Sequence, residues 1–164
     1  MEEIIPGQFK EEIYLFPKVL LVILLAAGGF FLWNSIRHFS LSEVFFILIV
    51  FFIPFLFGKM AVTVLNGELR VRFGYFRLIN FIFPLSDILT AEEVSFGPIR
   101  DFGGWGIRCG RFRGKPANCL TMRGNKGVLL VLRRAVRICF LRTDNILIGV
   151  RDPGALLRAL GKRK

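Results

Sequence analysis

Histidine-based nucleophilic catalysis needs a serine, threonine or cysteine beside an imidazole. This chain of 164 residues has one histidine, His38. It lies between two apolar blocks, far along the chain from Ser86, Ser95, Thr121 and Thr143, so a triad of the Ser–His kind is not expected. Cys109, Cys119 and Cys139 show no CxxC spacing. That argues against a metal site, and they read as small apolar residues of strands. The acids Asp87, Glu92, Glu93 and Asp101 are scattered. Glu92 and Glu93 are neighbours, and on a strand neighbours point to opposite faces, so they cannot act as a carboxylate pair. The segment Phe102-Gly103-Gly104-Trp105-Gly106 lacks the Lys-Ser/Thr ending and the following helix of a phosphate loop. It reads as a tight bend with Trp105 packed over a sheet. No enzyme activity, catalytic residue, metal or cofactor is expected.

Charge is the chemistry that remains. From Lys59 onward, 20 basic residues stand against 7 acidic ones, a net +13, whereas the first 58 residues carry −2. The basic residues fall in groups: Arg70, Arg72 and Arg77; Arg108, Arg111, Arg113 and Lys115; Arg133, Arg134 and Arg137. Each Lys or Arg near an anionic leaflet can gain about 1 kcal/mol. Lys59, Arg70, Arg72 and Arg77 are the candidate contacts for anionic lipid headgroups or an acidic partner. Nucleic acid is not an expected partner, since a basic surface binds phosphate nonspecifically and no nucleic-acid motif accompanies it.

Two apolar blocks precede this basic region. Val19–Ile36 holds 18 uncharged residues and Val44–Gly58 holds 15, with IRHFSLSE between them. A membrane span takes about 20 apolar residues, with a range of about 17–25. The expectation is a two-helix transmembrane hairpin with spans near 17–36 and 41–59. The second block is short, and the capping-box pattern Ser40-x-x-Glu43 and a snorkelling Lys59 would lengthen it. Pro54 would kink it. A cleaved signal peptide fits poorly, because the N-terminus is rich in glutamate rather than basic. Lys10 and Lys18 flank the first block and Lys59, Arg70 and Arg72 follow the second. By the positive-inside bias both termini are expected in the cytoplasm of a cell-membrane protein with two passes.

Residues 60–164 read as mostly β. Asn66-Gly67 marks a two-residue hairpin turn. Beyond it Leu69, Val71 and Phe73 alternate with Glu68, Arg70 and Arg72, a half-buried strand with a basic outer face. Further short strands are expected at FRLINFIF, AEEVSF, WGIRCGRFR, NCLTM, GVLLVL, VRICFLR and ILIGV, with turns at PLSDI, GKPA, RGNK, RRA and TDN. Asp152-Pro153 then starts a helix, with Asp at the N-cap and Pro at the first helical position. Leu156, Leu157 and Leu160 would form its apolar face.

The pieces VLNGELRVRFG, PLSDI, FGGWGIR, GNKGV and ILIGVRDPGALLRAL, spread over most of 60–160, resemble the bacterial pleckstrin-homology-like membrane proteins with an N-terminal transmembrane hairpin. The resemblance implies two strongly bent antiparallel sheets closed at one end by a helix, and no catalytic residues. LRRAVRICFLRTDN is longer than the hairpin the family pattern places there. The expected organisation is a hairpin anchor over 1–59 and a cytoplasmic pleckstrin-homology-like domain over 60–164, a membrane-anchored α+β fold. The expected function is a non-enzymatic membrane-surface module whose basic domain binds anionic lipid heads or a protein partner. The alternative is a structural subunit that self-associates or joins other membrane proteins through its hairpin, which Ala26-Ala27-Gly28-Gly29 would favour by allowing close helix approach.

Overall fold

A computed structural model describes residues 8–14, 22, 25–30, 33, 45, 58–76, 78–138 and 140–161. The described chain is mostly strand. Four strands form the first sheet in sequence order: β1 (Phe9–Tyr14), β2 (Lys59–Leu65), β3 (Glu68–Phe73) and β4 (Ile79–Pro84). A short 3-10 turn at Leu85–Asp87 leads to β5 (Ile88–Ser95) and a five-residue helix, α1 (Pro98–Phe102). Then follow β6 (Gly106–Phe112), β7 (Lys115–Thr121), β8 (Lys126–Ile138) and β9 (Leu141–Gly149), and the terminal helix α2 (Pro153–Ala159). The second sheet runs β5-β8-β9-β7-β6. Its pairs are antiparallel except β7 with β9, which are parallel through Asn118–Ile146, Cys119–Leu147 and Leu120–Ile148.

Alternation explains the first sheet. Met60, Val62 and Val64 on β2 and Leu69, Val71 and Phe73 on β3 are buried, and the residues between them face outward. Asn66 and Gly67 have φ of 52° and 76°, the two positive values that a type I′ turn needs to match the twist of its strands. β1 completes the layer at the edge, with Ile13 wholly buried and Phe9 nearly so. Glu11 reaches from β1 toward the end of the chain, where its Oε1 accepts a hydrogen bond of 2.8 Å from the Arg151 N–H.

The main core lies between the sheets. Phe9, Ile13 and the inner residues of β2 and β3 pack with Leu120, Val128, Leu130, Ile146 and Ile148 from the second sheet. Helix α2 closes this core with Leu156, Leu157 and Leu160, and its N-cap Asp152 accepts from the Ala155 N–H at 2.8 Å. A smaller apolar cluster on the other side of the second sheet joins Val94, Phe96, Phe102, Phe112, Ala117, Cys119 and Leu147. Cover on both faces is why Ala117–Thr121 of β7 and Ile146–Gly149 of β9 are buried without interruption rather than at alternate positions.

The membrane-anchored α+β expectation is corrected. Among the described residues no helix is long and apolar enough to cross a membrane. Residues 25–30 are helical, and most of the expected spans 17–36 and 41–59 lies outside the described residues. The two-span cell-membrane placement with both termini cytoplasmic therefore has no support in the fold. An apolar run alone does not specify a bilayer. The second block, with 15 uncharged residues, falls below the lower limit of about 17 for a span. At its end, Lys59 is the first residue of a strand, not the last of a helix. The segment before the blocks is likewise a strand: β1 pairs with β2 from Phe9–Val64 to Tyr14–Lys59, so residues 9–14 share a sheet with the basic region. The family resemblance implied antiparallel sheets, whereas the second sheet is mixed.

Candidate anion-contact surfaces

The outer face of the first sheet carries the basic residues singled out by alternation. Strand register sets Lys10, Thr63, Arg70 and Ile82 in one cross-strand row and Glu12, Ala61, Arg72 and Asn80 in the next, with Tyr14 opposite Lys59. The structure thus brings Lys59, Arg70 and Arg72 to one face. Arg77 lies outside the described residues.

Two of these three cations already have acids. Lys59 Nζ is 2.9 Å from Glu12 Oε2, and the Tyr14 hydroxyl donates to the same oxygen at 2.9 Å. Lys59 Nζ also sits 5.3 Å from the Tyr14 ring centroid. The hydrogen bond from Lys59 holds the Glu12 carboxyl below its ordinary value, against the opposing effect of burial. The same bond holds the Lys59 ammonium above its own. Arg70 donates from Nε and Nη2 to Glu68 Oε2, at 2.9 and 2.7 Å. Only Arg72, with Lys10 from β1, stands on this face without an ion pair among the described residues. Alternation on β3 located Arg70 and Arg72. It gave no sign that Glu12 would neutralise Lys59, because that pairing depends on the long-range β1–β2 ladder.

A second basic surface forms at the end of the β8–β9 hairpin. β8 pairs with β5 only through Lys126–Leu132, and β7 meets β9 only through Ile146–Ile148. The ladder between β8 and β9 shifts register between Val131 and Val136, then resumes as Val136–Thr143, Arg137–Arg142 and Ile138–Leu141. Beyond the shift the hairpin is an arm whose ladder pairs join only its own two strands. Side chains pin the arm to β6 and β7. Thr143 Oγ1 donates to the Pro116 carbonyl at 2.8 Å, Asn118 Nδ2 to the Leu141 carbonyl at 3.3 Å, and Cys109 Sγ to the Ile138 carbonyl at 3.3 Å. Ile138 is buried in the main core and Val136 packs against it.

The other positions of the arm face solvent. Arg133, Arg134, Ala135, Arg137 and Arg142 are exposed, and Phe140 in the turn is 80% exposed. None of the four arginines makes an ion pair among the described residues. Arg137 and Arg142 are direct cross-strand partners, a like-charge placement that destabilises a sheet. The nearest acid in sequence, Asp144, accepts from Asn145 Nδ2 at 2.9 Å. Sequence reading picked out Arg133, Arg134 and Arg137 but not Arg142 or Phe140. The pattern there predicts a single strand through VRICFLR, whereas β8 ends at Ile138 and β9 runs back from Leu141. The clue was the unusual length of that segment.

Among the described residues the groups capable of covalent chemistry do not converge. Cys119 is buried, and desolvation followed by the nearby charge of Asp101 pushes its thiol well above the ordinary range, which suppresses the reactive thiolate. Cys109 and Cys119 lie on adjacent strands, but Cys109 pairs with Asn118 and Arg108 with Cys119, so the two thiols are on opposite faces. Cys139 and His38 lie outside the described residues. Among the described residues no three His, Cys, Asp or Glu side chains gather as metal ligands. The FGGWG segment ends α1, where the Gly103 N–H bonds the Ile99 carbonyl and the Gly104 N–H the Pro98 carbonyl, both at 2.9 Å. Trp105 is 44% exposed rather than packed over the sheet. A shallow recess lined by Ser95, Phe96, Gly97 and Arg100 holds a single cation, and that one is paired with Asp101 at 2.9 Å. No family model matches the chain, and comparison with curated proteins finds no match.

Proposed function

We propose that this protein is a non-enzymatic binding module whose basic β-structure engages anionic lipid headgroups. One observation carries the reading: the domain has far more cations than its acids neutralise. Four ion pairs are formed among the described residues, and they involve only Lys59, Arg70, Arg100 and Arg113. Arg72, Arg108, Arg111, Arg133, Arg134, Arg137 and Arg142 remain outside them, on a region with net charge +13. Such a surface raises the local concentration of anionic partners and speeds encounter.

The test is vesicle flotation of the full chain against phosphatidylcholine vesicles and vesicles containing phosphatidylglycerol. The reading requires stronger binding to the anionic vesicles at low salt. It also requires that preference to fade as salt rises and the screening length falls to about 8 Å at physiological ionic strength. Equal binding to the two vesicles at low salt would overturn it.

A further inference from the structure

Resting on that reading, we infer that the β8–β9 arm is the element that meets the lipid surface. Phe140 would seat in the interface, and Arg137 and Arg142 would share a lipid phosphate between them. Three independent observations point there. Phe140 is the most exposed large apolar residue among the described ones, at 80%, and it stands in the turn that joins the two strands. The arginines flank it on both strands and lack acidic partners. Arg137 and Arg142 face each other across the ladder, so an anion placed between them turns a mutual repulsion into two attractions.

The arrangement suits a bilayer better than the alternatives. An apolar tip with a basic collar matches a surface whose phosphates lie above an apolar interior, and aromatic side chains favour that boundary. Single-stranded nucleic acid is usually held by several aromatics on which successive bases stack, and this arm exposes one. The arm is also fixed in place. Thr143, Asn118 and Cys109 bond it to its own sheet, so its tip is presented in a set direction and little ordering is needed on contact.

The experiment uses the full chain and four variants at exposed positions: Phe140→Ser, Arg137→Gln with Arg142→Gln, Arg142→Glu, and Phe140→Trp. The measured quantity is the ratio of affinities for phosphatidylglycerol and phosphatidylcholine vesicles, in which any contribution of the uncharged blocks 19–36 and 44–58 cancels. Each Arg→Gln change is expected to lower that ratio about fivefold. Phe140→Ser should weaken binding to the anionic vesicles. Arg142→Glu should raise the melting temperature while lowering the ratio, a combination that a merely damaged fold would not give. The added indole emission of Phe140→Trp should shift to the blue and be quenched by acyl-chain-brominated phosphatidylglycerol.

An anionic preference that survives the arginine and Phe140 changes overturns the arm and leaves the wider reading standing. A wild-type chain with no anionic preference overturns both. Displacement from vesicles by lower concentrations of a single-stranded oligonucleotide, lost in the arginine variants, would replace lipid by nucleic acid as the occupant.

Discussion

At the scale of single residues, the turn at Asn66-Gly67 is the clearest link from sequence to structure. Both residues hold positive φ. A Cβ at Gly67 would meet nothing within 4 Å, so a larger residue there is resisted by backbone strain alone. Gly67→Val is expected to destabilise the protein by about 1 kcal/mol or more, read as a lower urea midpoint with unchanged slope. An unaltered midpoint would show that the turn tolerates a branched residue. The Glu12–Lys59 pair makes a second residue-scale test. Glu12 is held below its ordinary value of 4.5, so its contribution is present above that value. It is lost as pH falls through the lowered folded value. Lys59 is held above 10.5, so its share is present below that and is lost as pH rises through the raised value. Both side chains keep some solvent contact, which limits the pair to about 0.2–1 kcal/mol. Glu12→Gln should remove that amount at neutral pH and flatten the acid limb of the stability profile. The local turn was legible because its signal is two adjacent residues. The ion pair was not, because its two halves come from strands separated by both apolar blocks.

Elements were legible in proportion to how much of their register is local. Strands β2 and β3 follow from alternation and one turn, and α2 follows from its Asp-Pro start and its leucine spacing. Leu156 is wholly buried in the main core and Leu157 nearly so. Leu156→Ala is therefore expected to cost about 2–5 kcal/mol, and a loss near zero in thermal unfolding would mean that α2 does not cover the core. The β8–β9 arm shows where pattern reading ends. In VRICFLR an unbroken apolar run, ICFL, carries through the turn with no Gly, Pro, Asn or Asp, so nothing in the pattern marks a reversal between Ile138 and Leu141. The register shift after Val131 hides it further, since a one-residue slip exchanges the two faces of a strand. Only the ladder shows Arg137 opposite Arg142. Arg142→Glu converts that pair from like to opposite charge. It should stabilise the hairpin by a few tenths to about 1 kcal/mol. If the melting temperature falls instead, the two side chains are not the opposed pair that the register describes. Helix α1 leaves no helical pattern in the sequence, because five residues are too few to show a period. Its start, Gly97 before Pro98, and its Gly103 end were nevertheless present in the sequence.

At the scale of the whole molecule, the informative fact is that Tyr14 and Lys59 are cross-strand neighbours. The chain leaves the first sheet at one point and returns beside it, so residues 15–58 are bracketed by paired strands rather than placed before a separate domain. A boundary at residue 59, the one the apolar blocks suggest, divides β1 from its partner. Burial fixes the physical consequence. Phe9 and Ile13 are core residues, and a fragment confined to 60–164 loses both. Full burial of one large apolar side chain contributes about 1.5–3 kcal/mol, and two of them are a large part of a typical stability of about 5–15 kcal/mol. The fragment would also expose the inner edge of β2, a liability for strand pairing with other copies. The fragment is therefore expected to unfold at lower temperature or aggregate. A chain that keeps residues 8–14, with 15–58 replaced by a four-residue linker centred on Asn-Gly, should fold cooperatively, since four-residue loops close hairpins readily. Circular dichroism melts of the two would decide the matter. If the fragment proves as stable as the linked chain, β1 contributes nothing to the core it is seen to complete. If both melt cooperatively but only the linked chain is more stable, the sheet is built from both sides of the apolar blocks, as the register requires.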